Sequence, residues 1–106
     1  MLEDKQYDRV SVLKRANIFG DKCVSHTVIF ADGTRKTLGV FLPGIMTLPS
    51  VVDEVIEVLA GHCLVRQKDS TEWTEHRAGD SFEVPGNSAI EIKVFEAVEY
   101  ICNYYD

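Results

Sequence analysis

The stretch DEVIEVLAG, residues 53–61, decides how this chain folds. Val55, Ile56, Val58 and Leu59 have the β-branched and aliphatic character that suits a sheet, and Gly61 closes the run with a turn residue. Two carboxylates, Glu54 and Glu57, interrupt it. Successive side chains on a strand point to opposite faces. Glu54 therefore shares a face with Ile56 and Val58, while Glu57 belongs to the other. Glu57 is expected to meet solvent or a subunit contact. Glu54 needs a partner, because a buried carboxylate costs several kcal/mol unless it is hydrogen-bonded or paired.

Outward from this run, turn signals recur every 8–12 residues or so, the spacing of an all-β sandwich or barrel. They include ADGT at 31–34, LPG at 42–44, AGH at 60–62, AGD at 78–80 and PGN at 85–87. Strand-like segments lie between them at 9–15, 23–30, 34–42, 54–60, 63–68, 81–84, 89–94 and 99–105. Asp32-Gly33 is a hairpin signal, since that turn needs positive φ. Only PSVVDEVIEVL could be argued as a helix, and its β-branched residues weigh against that. In AIEIKV, Ile90, Ile92 and Val94 oppose Glu91 and Lys93, which marks a half-buried strand. In EYICNYY neither face is plainly polar, so that strand is expected to be covered on both sides.

The 106 residues form one domain, expected over 9–106, behind a charged leader at 1–8. A formal net charge of −6 argues against nucleic acid or an anionic membrane as partner. No run approaches the roughly 18 apolar residues of a membrane helix. The first ten residues carry acids and no apolar stretch, so no signal peptide is expected there. Cys23, Cys63 and Cys102 are too few and too widely spaced for a disulfide framework or a structural zinc site. Reduced, buried thiols in a cytoplasmic protein are expected.

A strand with an acid and a closing glycine, followed by GDSFEVPGN at 79–87, resembles the two half-motifs of a cupin, a small jelly-roll barrel. In metal-binding cupins three histidines accompany the glutamate. Here their places hold Leu48, Ser50 and Ile90, and only Glu54 remains. The resemblance thus implies the fold and no metal. It narrows further. GDSFEVPGNSAIEIKVFEAVEYICNYY at 79–105, with its G-x-x-F-x-V-P-G-x-S core and late Tyr-x-Cys-x-Tyr, resembles the short cupins known as pyrimidine/purine nucleoside phosphorylases. KTLGVFLPGIMTL at 36–48 is similar to their middle segment. Several relatives carry a histidine after the Pro-Gly, where this chain has Asn87.

The resemblance implies phosphorolysis of purine and pyrimidine nucleosides to free base and pentose 1-phosphate, with broad specificity and without a cofactor. An oxocarbenium-like transition state is expected by analogy with glycoside hydrolysis. The cupin pattern directs Glu54 into the barrel with Leu48, Ser50 and Ile56, where it could accept ribose hydroxyls beside Ser50. His62 could donate a proton to the departing base, as could His76. Arg66, then Arg77, are the first candidates for phosphate, because guanidinium suits bidentate contacts. Arg35 and Lys36 are further cations. Tyr100 and Tyr104 could stack a base, and Asn87 could contact one. A homodimer that covers open sheet edges is expected. A non-catalytic small-molecule-binding cupin is the alternative reading.

Overall fold

The computed structural model describes residues 6–105, and every regular element among them is a strand. In chain order these are β1 (Ser11–Val12), β2 (Asn17–Phe19), β3 (Cys23–Ile29), β4 (Arg35–Phe41), β5 (Gly44–Ser50) and β6 (Asp53–Ala60). Then come β7 (His62–Gln67), β8 (Thr74–Arg77), β9 (Ser81–Val84), β10 (Ser88–Val94) and β11 (Val98–Tyr105). Two antiparallel sheets result. The larger runs β1-β3-β4-β11-β6-β9, with β2 added on β3, and the smaller runs β5-β10-β7-β8. The architecture is the all-β cupin jelly roll expected from the sequence. Most of the leader, residues 1–5, lies outside the described residues. Tyr7 sets its ring edge-on against Phe30 at 4.9 Å.

The sheets face each other across one core. The larger contributes Phe41, Ile56, Val58, Phe82, Val84, Val98 and Tyr100, and the smaller Cys63, Val65, Ile90, Ile92 and Val94. The stretch at 53–61 forms β6 with the alternation its sequence prescribes, since Ile56 and Val58 are buried. The Asp32-Gly33 hairpin joins β3 to β4. Gly33 has φ +89, and Asp32 Oδ1 accepts the Thr34 amide at 2.8 Å.

Three strands have no counterpart in the sequence reading. The β5 segment GIMTLPS carries Pro49, a residue that cannot donate to a ladder. It is tolerated because β5 lies at the edge of its sheet, with only β10 beside it. Strand β8 is the opposite edge, and β2 is a three-residue addition to β3. Short edge strands carry weak alternation. The segment expected at 9–15 pairs only over Ser11–Val12.

Cys23, Cys63 and Cys102 are free and buried. Burial raises all three thiols above the ordinary 9.0, Cys63 to about 11 and Cys102 to about 12. Below the ordinary value both states keep their protons, and stability does not depend on these groups. Above it the unfolded chain releases protons that the folded chain retains. Stability should then fall by about 1.4 kcal/mol per pH unit for each thiol. Urea unfolding from pH 8 to 10.5 is expected to show this decline, with a smaller slope for Cys63→Ala. A flat profile in wild type would refute it.

Candidate active site

Glu54 occupies the inner face of β6 with Ile56 and Val58. Its carboxylate is held from both sides. Ser50 Oγ, reaching from the facing sheet, lies 2.8 Å from Glu54 Oε2. The Val52 carbonyl is also within its reach, so the single hydroxyl proton serves one acceptor at a time. Cys102 Sγ donates to Glu54 Oε1 at 3.2 Å. The thiol is suited to donate, because burial and then the nearby Glu54 charge push it up to about 12.

The register extends this cluster across the larger sheet. Glu54 pairs with Tyr104 on β11, and Cys102 pairs with Thr37 on β4. Tyr104 OH lies 3.0 Å from Thr37 Oγ1, and burial raises its phenol above the ordinary value. Beside β4, the β3 residues Ser25 and Thr27 accept from Asn17 Nδ2 of β2, at 3.3 Å to Ser25 Oγ and 3.0 Å to Thr27 Oγ1. One end of the jelly roll is thus lined by hydroxyls, a thiol and an amide, while the middle is aliphatic.

Two clefts open at this end. The larger, of about 800 Å³, is walled by Asn17, Ser25, Arg35, Thr37, Tyr104 and Tyr105 among others. The smaller, of about 380 Å³, is walled by Asp53, Glu54, Val84, Pro85 and Tyr105. Tyr105 belongs to both walls. Glu54 therefore borders open space although its inner-face neighbours on β6, Ile56 and Val58, are buried.

The metal-binding pattern of cupins can be tested against these positions. Leu48 and Ile90 are direct cross-strand partners, and Ser50 contacts Glu54. The donor set is then one carboxylate and one hydroxyl flanked by two aliphatic side chains. It does not fit a divalent transition ion, which takes imidazole, thiolate or several carboxylates. Among the described residues, no three His, Cys, Asp or Glu side chains gather as a metal-binding group.

The structure brings together Glu54, Ser50 and Tyr104, and leaves other candidates elsewhere. Arg66 lies on the outer face of β7, paired with Glu91 and set 5.1 Å from the Trp73 ring. Arg77 pairs with Glu75 at 3.1 Å. His62 Nδ1 is 3.4 Å from Glu96, and its ring lies against Phe95. His76 sits beside Phe82, within hydrogen-bond distance of Thr74 Oγ1. Asn87 holds the turn before β10 at φ +53, its amide bonded to the Val51 carbonyl. Tyr100 is buried, stacked on Phe41 with centroids 4.0 Å apart, and its hydroxyl is 3.3 Å from Cys23 Sγ. Glu57, on the outer face, accepts from Asn103 Nδ2 at 2.8 Å.

Sequence reasoning missed Ser25, Thr27, Thr37 and Cys102 as site residues. A signal for them was present. In CVSHTVIF the parity of Cys23 carries Ser25 and Thr27, and in TRKTLGVFL the parity of Phe41 carries Thr37 and Arg35. Polar residues on the inner parity of an otherwise apolar strand mark a wet end of a core. Asn17 had no such signal, because β2 is too short to show a period.

The sequence profile of the pyrimidine/purine nucleoside phosphorylase family matches residues 13–104. A pyrimidine/purine nucleoside phosphorylase from Paraburkholderia xenovorans is 52% identical over 100 residues, covering 93% of this chain and 94% of the relative. Another, from Burkholderia vietnamiensis, is 51% identical over 105 residues, covering 98% and 99%. A solved structure of a protein of unknown function from Acinetobacter sp. ADP1 superposes with a TM-score of 0.90 at 47% identity, covering 94% of this chain and 98% of that one. At 19% identity and a TM-score of 0.66, an ethanolamine utilization protein Q from Salmonella typhimurium covers 78% of this chain and 68% of its own, and shares the fold. With the profile spanning nearly all of the chain and relatives matching at half its residues, this protein belongs to the pyrimidine/purine nucleoside phosphorylase family.

Proposed function

We propose that the protein catalyses phosphorolysis of purine and pyrimidine nucleosides, without a metal, to free base and pentose 1-phosphate. The C1′–N bond breaks, and its electron pair leaves with the base, which ends with the proton that hydrogen phosphate gives up. A phosphate oxygen forms the new bond to C1′. The observation that carries the reading is the Glu54 carboxylate, fixed by Ser50 and Cys102 at the edge of an open cleft. Each oxygen keeps a lone pair free, enough for a ribose diol. A fixed negative charge near C1′ also stabilises the positive charge that develops there.

Specificity for the base is broad in this reading. The polar wall holds the sugar, and exposed Tyr105 offers a ring face that any base can stack on. The proposal retains Glu54, Ser50 and Tyr104. It does not use Arg66 or Arg77, whose charges are matched by carboxylates on other surfaces, or His62, which lies beside Glu96 away from the cleft. The test is incubation with uridine, adenosine or guanosine and inorganic phosphate, followed by assay of base and pentose 1-phosphate. Equal release of base with and without phosphate would overturn the reading. Ligand-induced stabilisation with no turnover would assign a binding protein instead.

A homodimer in the cytoplasm is part of the same proposal. The outer face of the larger sheet exposes Val24 and Leu59, and the outward-pointing Asn103 is already buried against Glu57 and the Val55 carbonyl. A second copy would cover that face. Sedimentation at micromolar concentration is expected to give a dimer, and a monomer there would refute it.

A further inference from the structure

We infer that Arg35 is the phosphate-binding residue, and that Arg35, Tyr104 and Glu54 form one row that holds both ends of a pentose 1-phosphate. This rests on the phosphorolysis reading above. Its ground is the pairing register. Asn103 pairs with Lys36, so one residue further along Tyr104 lies beside Arg35. Tyr104 also pairs with Glu54 on its other side. All three have inner-face parity. Two inter-strand spacings separate the Arg35 and Glu54 backbones, about 10 Å. Arg35 walls the larger cleft and Glu54 the smaller, and Tyr105 lines both, so in this proposal the phosphate lies against one cleft wall and the ribose hydroxyls against the other.

The charge pattern singles out the same residue. Among the side chains that wall the larger cleft, Arg35 alone is charged. Among the described residues it makes no ion pair, whereas Lys22, Arg66 and Arg77 each face a carboxylate. A chain with net charge −6 repels a phosphate dianion overall, so binding needs a local cation free of acidic neighbours. The Thr34 and Thr37 hydroxyls line the same cleft and can add hydrogen bonds to the anion. Lys36, of opposite parity, sits instead over the Tyr7 and Phe30 rings.

The experiment compares wild type with Arg35→Gln and Arg35→Lys. Arg35 is exposed, so both variants should fold, which melting in chloride checks. Arg35→Gln is expected to raise the KM for phosphate by roughly tenfold or more and to leave the KM for nucleoside within about threefold. Arg35→Lys should fall between, since it keeps the charge and loses the fork. Separately, inorganic phosphate at matched ionic strength should raise the Tm of wild type and not that of Arg35→Gln. An unchanged phosphate KM in an active Arg35→Gln enzyme would overturn the inference and leave the phosphorolysis reading standing. If wild type shows no phosphorolysis, that reading fails. Loss of the phosphate-induced Tm shift in Arg35→Gln would then still support Arg35 as the anion site.

Discussion

Glu54→Gln is expected to lower kcat/KM for phosphorolysis by roughly 10²–10³-fold, about 3–4 kcal/mol of transition-state stabilisation. The substitution keeps shape and removes charge. Two donors converge on the carboxylate, Ser50 Oγ–H on Oε2 and Cys102 Sγ–H on Oε1. A carboxylate can accept from both. A carboxamide can turn its oxygen to Cys102 Sγ–H and its NH₂ to Ser50 Oγ, whose proton then goes to the Val52 carbonyl, so the fold tolerates it. What the amide cannot do is offset positive charge at C1′. That loss acts more strongly on the transition state than on bound nucleoside, so it should fall mainly on kcat. The measurement is initial rates of base release at saturating phosphate, with Tm confirming the fold. Activity within threefold of wild type would remove Glu54 from the chemistry.

Much of this site was legible in the chain, and the remainder was hidden for physical reasons. The cupin half-motif pattern directed Glu54 inside with Ser50 and named the aliphatic residues at 48 and 90, and parity set Glu57 on the other face. The cluster around Glu54 depends on long-range pairing, because Cys102 lies 48 residues away from it in sequence. One sequence without a register cannot supply that. The cations show the same limit. Arg66 attracted attention through its place in a strand, yet parity puts it outside, where it pairs across strands with Glu91. Arg35 sits immediately after a hairpin turn and reads locally as a surface charge. Only the β4–β11–β6 pairing reveals that it shares a row with Glu54.

Gly39→Ala tests whether the pairing beneath that row tolerates any added atom. Gly39 lies opposite Ser25 on β3 and Tyr100 on β11. A Cβ there would stand 2.6 Å from the Val24 carbonyl oxygen, 2.7 Å from Ser25 Cβ and 2.7 Å from Tyr100 OH. Alanine usually gains by restricting the unfolded chain, by about 0.4–1 kcal/mol. Overpacking of a core typically costs about 1–3 kcal/mol, and here one of the three clashes is with backbone, which cannot rotate away. The clash wins, with an expected net loss of about 2 kcal/mol and a fall in Tm of roughly 10 °C. Tyr100→Phe removes one clashing atom, together with the contact from Tyr100 OH to Cys23. The double variant Gly39→Ala/Tyr100→Phe should therefore be less destabilised than the sum of its singles, by about 0.5–1 kcal/mol. Full rescue is not expected, because Val24 O and Ser25 Cβ remain in place. A Gly39→Ala protein melting within 3 °C or so of wild type would mean that β3 and the Tyr100 hydroxyl give way to the added atom, and would refute the expected clash.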